Sequence, residues 1–313
     1  MNPRILVAFT TVALAVMTGS PAPADTPLVV ASFYPLYEFS RQVAGDRAEV
    51  VTLVPVGVEP HDWEPSPQDV VLVQKAKLFV YNGAGLEPWV EKLLRDAKAR
   101  GVVAVRTTER VALLTDEGHG HDHAQGAQSG AKPRGNTHAV DPHVWLDPVR
   151  AQTQVEAIRA ALAKVDPSNA AAYAANAQAY RTKLGALDAA FASGLKQCAR
   201  REVVTTHAAF SYMARRYGLA QIPISGLEPD SEPSPADLAA LVKKVKERKV
   251  QYVFFETLVS PKLAETLARE VGARTLVLNP IEGLTKEEQA AGKNYVSLME
   301  ENLRNLRTAL ECK

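Results

Sequence analysis

Two rhythms of apolar residues alternate along this chain. Short runs rich in Val, Phe and Tyr are separated by stretches whose apolar positions recur at helical spacing. In the first half, strands are predicted over residues 28–32, 49–54 and 78–81, with helices over 35–44 and 68–75 between them. The second half has strands over 202–205 and 252–255 and a helix over 238–249. Strands alternating with helices in both halves predict an α/β fold of parallel sheets covered on both faces.

Two helix starts carry the same wording, Glu-Pro-Ser-Pro-x-Asp, at Glu64 to Asp69 and at Glu232 to Asp237. In each, the Ser suits the N-cap, the second Pro the first helical position, and the Asp the positive helix end. A repeated start, each leading to an apolar strand, points to two lobes of related topology. Between them, residues 149–165 and 168–195 are alanine-rich and read as helices broken at Asp166-Pro167. The second would span roughly 40 Å at about 1.5 Å per residue, the length of a strut rather than of one lobe's helix. The expected organisation is a β/α lobe over 25–166, a linking helix over 167–197 and a second lobe over 198–313.

Composition changes this picture little. The chain's 313 residues exceed the usual size of one core, and 46% hydrophobic with 23% charged residues is globular. A formal net charge of +1 gives no electrostatic case for nucleic acid or an anionic membrane as partner. Arg4 and the apolar run Ile5 to Met17 lead to Ala22-Pro23-Ala24, the pattern of a secretory signal peptide over 1–24. No cysteine follows that run, which argues against lipid anchoring there. In an oxidising compartment Cys198 and Cys312 are expected to pair, tying the start of the second lobe to the last helix. Residues 115–140 are the outlier: Gly, His, Ala, Gln and Ser with almost nothing to bury.

The candidate chemistry lies in the histidines. His61, His143 and His207 stand singly at loop mouths, beside Pro, Asp or Thr. Loops following separate parallel strands open on one cleft, so three such imidazoles can meet there around a transition metal. His119, His121, His123 and His138 crowd the glycine-rich stretch and read as a flexible secondary metal site raising local ion concentration. Gly83-Ala84-Gly85-Leu86-Glu87-Pro88 lacks the third glycine of a dinucleotide fingerprint and reads as a strand-to-helix turn. Trp63 and Trp145 read as packing that shields the histidines, and the basic run from Lys243 to Lys249 as a solvated helix face.

The segments Ala31-Ser32-Phe33-Tyr34-Pro35, Pro60-His61-Asp62-Trp63-Glu64-Pro65-Ser66, Asp141-Pro142-His143-Val144-Trp145-Leu146-Asp147-Pro148, Thr205-Thr206-His207-Ala208-Ala209-Phe210 and Phe254-Phe255-Glu256 together resemble the metal-specific solute-binding proteins of ABC importers, above all the zinc-binding, ZnuA-like branch. The resemblance covers the mature chain in order. It implies two β/α lobes joined by one long helix, with Zn2+ held between them by His61, His143 and His207. It also implies a monomer in the periplasm that serves a membrane permease, with a periplasmic zinc metallochaperone as a further partner. The family often places an aspartate in a Leu-Asp-Pro stretch; here the stretch is Leu278-Asn279-Pro280. The fourth position is therefore open among water, Asn279 and a carboxylate, with Glu59, Asp62, Glu64 and Glu256 as the nearby candidates. Glu256 reads more readily as a partner orienting an imidazole. Three nitrogens favour zinc over manganese, which prefers oxygen-rich sites. The competing readings are a receptor for manganese or another divalent ion, a surface adhesin and, weakest, a zinc hydrolase, which three histidines would suit but for the missing His-Glu-x-x-His helix and base.

Overall fold

The computed structural model describes residues 26–115, 140–229, 231 and 233–313. The leader expected over 1–24 and the histidines at 119, 121, 123 and 138 lie outside them. Strands β1 (Leu28–Ala31), β2 (Glu49–Thr52), β3 (Leu78–Tyr81) and β4 (Val103–Arg106) form a parallel sheet in the order β2-β1-β3-β4. Strands β5 (Glu202–Thr205), β6 (Ala220–Pro223), β7 (Tyr252–Phe255) and β8 (Arg274–Val277) form a second parallel sheet in the order β6-β5-β7-β8. The two orders are the same, as the repeated helix starts suggested. Each strand is only four residues long. Inner strands are mostly apolar and covered in all but one end residue, with Leu78, Phe79 and Val80 at 0% exposure, because helices lie on both faces of a parallel sheet.

Helices α1 (Tyr34–Ala44), α2 (Pro67–Lys75), α3 (Val90–Ala99) and α4 (Pro148–Val165) flank the first sheet; α6 (Ser211–Tyr217), α7 (Pro235–Glu247), α8 (Lys262–Val271), α9 (Lys286–Ala290) and α10 (Tyr295–Ala309) flank the second. The starts of α2 and α7 are set as the sequence indicates. Ser66 Oγ accepts from Asp69 N while Asp69 Oδ2 accepts from Ser66 N at 2.8 Å, and Ser234 Oγ accepts from Asp237 N at 3.2 Å. Each cap is worth about 1 kcal/mol.

Between the sheets runs α5 (Ala170–Gly194), 25 residues long, which is about 37 Å at about 1.5 Å per residue. Its buried stripe is Tyr173, Ala177, Tyr180, Leu184, Leu187 and Phe191, spaced by alternating threes and fours as one helix face requires. Tyr180 lies against Phe39 of α1 at 5.9 Å, and Phe191 stacks on Tyr217 of α6 at 5.1 Å. One helix thus packs into both lobes. The main core is continuous from Val29 to Leu310, while smaller cores sit under α2 and α3 and under α7 and α8. Polar ties cross between the lobes as well: Gly57 N donates to Leu284 O at 2.8 Å, and Trp145 Nε1 to Pro280 O at 2.8 Å.

Cys198 and Cys312 form a disulfide that joins the approach to β5 with the end of α10. It closes a loop with a sequence separation of 114 residues. The double variant Cys198→Ser/Cys312→Ser is expected to lose about 2–4 kcal/mol. Its denaturation midpoint should fall and become indifferent to reductant, unlike that of the native chain.

Candidate metal centre

All four loops that build this centre follow the carboxyl ends of strands. His61 ends the turn-rich stretch after β2, where Glu59 Oε2 accepts from its backbone N–H at 2.9 Å. His143 lies beyond β4, at the start of a 3-10 turn, Val144–Leu146. The indole of Trp145 underlies it, fully buried, with ring centroids 5.2 Å apart. His207 follows β5, its carbonyl accepting from Thr205 Oγ1 at 2.7 Å. From the loop after β8, Glu282 completes the group. Its predecessor Ile281 holds φ of 58°, a strained conformation for a β-branched residue that costs on the order of 1–3 kcal/mol and aims the next side chain inward.

His61, His143, His207 and Glu282 present ligand atoms that all lie within 4.8 Å of one another. The Nε2 atoms of His61 and His207 are each 3.3 Å from that of His143. Glu282 Oε1 is 3.4, 3.2 and 3.5 Å from the Nε2 atoms of His61, His143 and His207, and it makes no well-directed hydrogen bond. A tetrahedral ion with bonds of about 2.0–2.1 Å separates its ligand atoms by roughly 3.3–3.4 Å along each edge. These spacings fit that figure closely. Each lobe supplies two of the four donors. A cleft of about 710 Å³ opens beside His61, lined by Arg106, Thr108, Leu227 and Glu228 among others.

Behind every imidazole stands a carboxylate. Asp141 Oδ1 is 2.8 Å from His143 Nδ1, Glu256 Oε1 is 2.8 Å from His207 Nδ1, and Glu228 Oε2 is 3.3 Å from His61 Nδ1. A carboxylate at Nδ1 fixes the proton there and leaves Nε2 free to bind a cation. The charges shift the titrations strongly. Burial alone would lower His61, but Glu228 and Glu282 outweigh it and raise it to about 11. Burial of His207 is likewise outweighed by Glu256 and Glu282, which raise it to about 10. Burial of Glu282 is overcome by the three imidazoles, which hold it well below the usual carboxylate range. Glu59 is raised to about 7 by burial and by the charge of Glu282.

The fourth donor is where the sequence reading is corrected. Asn279 does not face the group: its Oδ1 accepts from Ile281 N at 2.7 Å and its Nδ2 donates to Glu288 Oε1 at 3.0 Å. Asn302 takes both its backbone N–H and carbonyl, at 2.8 and 2.7 Å. An amide is needed because one end must donate and the other accept; an aspartate would set two carboxylates side by side. Asn279 instead shapes the turn that presents Glu282. Glu59 reaches the His61 backbone rather than the Nε2 cluster, Glu256 stands behind His207, and Asp62 and Glu64 are exposed. The signal for Glu282 was present in Asn279-Pro280-Ile281-Glu282-Gly283-Leu284, an acid in an otherwise apolar strand-end loop. Trp63 packs edge-on to Trp89 at 5.4 Å, one step back from the histidines.

A family model described as ZnuA, zinc-uptake complex component A, periplasmic, matches residues 29–309. The chain belongs to the ZnuA family. A curated relative, the zinc-binding lipoprotein AdcA of Streptococcus pneumoniae serotype 4, is 46% identical over 282 residues, which cover 89% of this chain and 55% of that protein. The chain therefore spans about half the length of that relative. The high-affinity zinc uptake system protein ZnuA of Bacillus subtilis is 43% identical over 282 residues, 90% of this chain and 87% of that one. Among solved structures, the Zn(II)-bound ZnuA-like domain of S. pneumoniae AdcA superposes with a TM-score of 0.77 at 43% identity, covering 91% of this chain and 99% of that one.

In this ZnuA-family chain, ion loading must displace the protons that His61 and His207 carry near neutral pH. Uptake of a divalent ion is expected to release protons and to weaken as pH falls. Calorimetry in buffers of different ionisation enthalpy measures this directly. For the ion-free protein the sign is opposite. Both folded values exceed the free value of 6.5, so the paired imidazoliums stabilise the fold fully below pH 6.5. That contribution is lost as pH climbs through about 10 and then about 11.

Proposed function

We propose that this chain captures zinc outside the cytoplasm, in the periplasm, and delivers it to the membrane permease of an ABC importer. The observation that carries the reading is a closed set of three imidazole nitrogens and one carboxylate oxygen at tetrahedral spacing, split evenly between two lobes. Nitrogen-rich tetrahedral sites suit zinc; manganese favours more oxygen and higher coordination. His61, His143, His207 and Glu282 are the proposed ligands, oriented by Glu228, Asp141 and Glu256.

The same set argues for binding rather than hydrolysis. A catalytic zinc keeps one position open for water, and Glu282 fills it here. The names of the relatives, zinc-binding lipoprotein and zinc uptake protein, point the same way. No helix among the described residues is long and apolar enough to cross a membrane, which suits a carrier that docks on a separate permease.

Leu113 and Val140, which flank the histidine-bearing stretch, line the cleft beside His61. His119, His121, His123 and His138 are proposed to raise the local concentration of the ion. Deleting residues 118–138 should lower total zinc stoichiometry and leave one tight site, as read by calorimetry.

Purified protein should bind zinc tightly at one site, and replacing the three histidines with alanine should abolish that site. Glu282→Ala should weaken it by more than the roughly 10–100-fold typical of an outer partner, while Asn279→Asp should reduce thermal stability more than affinity. A strain lacking the gene should fail to grow under zinc chelation and recover with the native gene but not the triple-alanine one. Tight binding that survives the triple substitution would refute the proposal.

A further inference from the structure

The three orienting carboxylates are not equivalent. Asp141 lies two residues before His143, on the same loop. Glu256 directly follows β7, in the sheet whose strand β5 delivers His207, and also accepts from Thr206 Oγ1. Each of these pairs belongs to a single lobe, and each acid is 3% exposed. His61 is held differently. It belongs to the first lobe, whereas Glu228 comes from the loop between β6 and α7 of the second, 3.3 Å away and with its side chain 63% exposed. That loop moves with the second lobe, since Ala208 N, one residue past His207, donates to Gly226 O at 2.8 Å.

We propose that Glu228 is a positioning residue that latches the centre: it reaches across the cleft to orient His61, so parting the two sides frees His61 before any other ligand. The inference rests on the ion-receptor reading and adds to it the order and side of release. An imidazole whose Nδ1 proton has no acceptor is no longer fixed in tautomer or ring direction, and its Nε2 becomes a poorer ligand. His143 and His207 keep their acceptors when the lobes separate, because those acceptors travel with them. His61 does not. Glu228, Leu227 and Ser231 line the same cleft as His61, so the ligand released first faces the open path. The exposed carboxylate is also accessible to a docked protein, which can draw it away without reaching the ion.

The test is zinc dissociation into excess chelator, followed by stopped flow, for the native protein, Glu228→Gln, His61→Ala and the double variant. Glu228→Gln is expected to speed dissociation about tenfold, the low end for loss of an outer partner, with the association rate little changed. In the His61→Ala background the same substitution should have no further effect, because its influence passes through that ring. ¹⁵N-histidine NMR of the zinc-loaded protein gives an independent reading: Glu228→Gln should expose the Nδ1–H of His61 to fast exchange and leave those of His143 and His207 protected. A native dissociation rate in Glu228→Gln, equal acceleration in both backgrounds, or unchanged His61 exchange would each overturn the latch. A native protein that takes up no zinc would instead overturn the receptor function beneath it.

Discussion

Four electron-pair donors pressed within 4.8 Å of one another need a cation among them. Three Nε2 atoms and one carboxylate oxygen converge where water is nearly excluded, with His143 and His207 at 0% exposure and Glu282 at 2%. Lone pairs facing each other in so poor a dielectric repel, and either protons or a metal ion must relieve the repulsion. The high proton affinities of His61 and His207 are the proton solution, and the tetrahedral spacing is the metal solution. The ion and the protons thus compete for the same atoms. The surrounding fold preserves that competition by keeping the four donors in place.

Rigidity is what makes such placement affordable in a two-lobed molecule. The main core runs unbroken through both lobes, and one apolar face of α5 packs into both. Wide hinge opening would expose that shared core to water at about 25 cal/mol per Å² of apolar surface. Small displacements of the loops after β2, β6 and β8 expose far less. Strain at Ile281 and the amide turn made by Asn279 show that the second lobe holds its carboxylate by local geometry rather than by bulk packing.

Much of this arrangement could be read from residue order. Alternating apolar runs gave the two parallel sheets, and the repeated Ser-Pro-x-Asp starts marked α2 and α7, because capping is a local interaction within four residues. The three histidines stood out for the same reason: an imidazole beside Pro, Asp or Thr at a strand end is a local signal. The short elements Ala220–Pro223 and Arg274–Val277 mix polar or charged residues with apolar ones and lack a clear run, so their strand character comes from pairing with neighbours. Glu282 was missed because a matching position, Asn279, drew attention three residues too early. What decides between the two is whether Glu288 and Asn302 are near enough to claim the amide, and those partners lie in α9 and α10. Glu228 was equally hidden, since its partner is 167 positions earlier in the chain and on the other lobe.

Thr115 and Val140 pair as an isolated antiparallel bridge, and Asp141 N donates to Leu114 O at 2.9 Å. The chain therefore leaves the first lobe and re-enters it at adjoining backbone positions. The cost of closing whatever lies between grows only with the logarithm of its length. Insert size and composition are thereby uncoupled from the stability of the scaffold. A whole foreign domain with neighbouring termini could be spliced there.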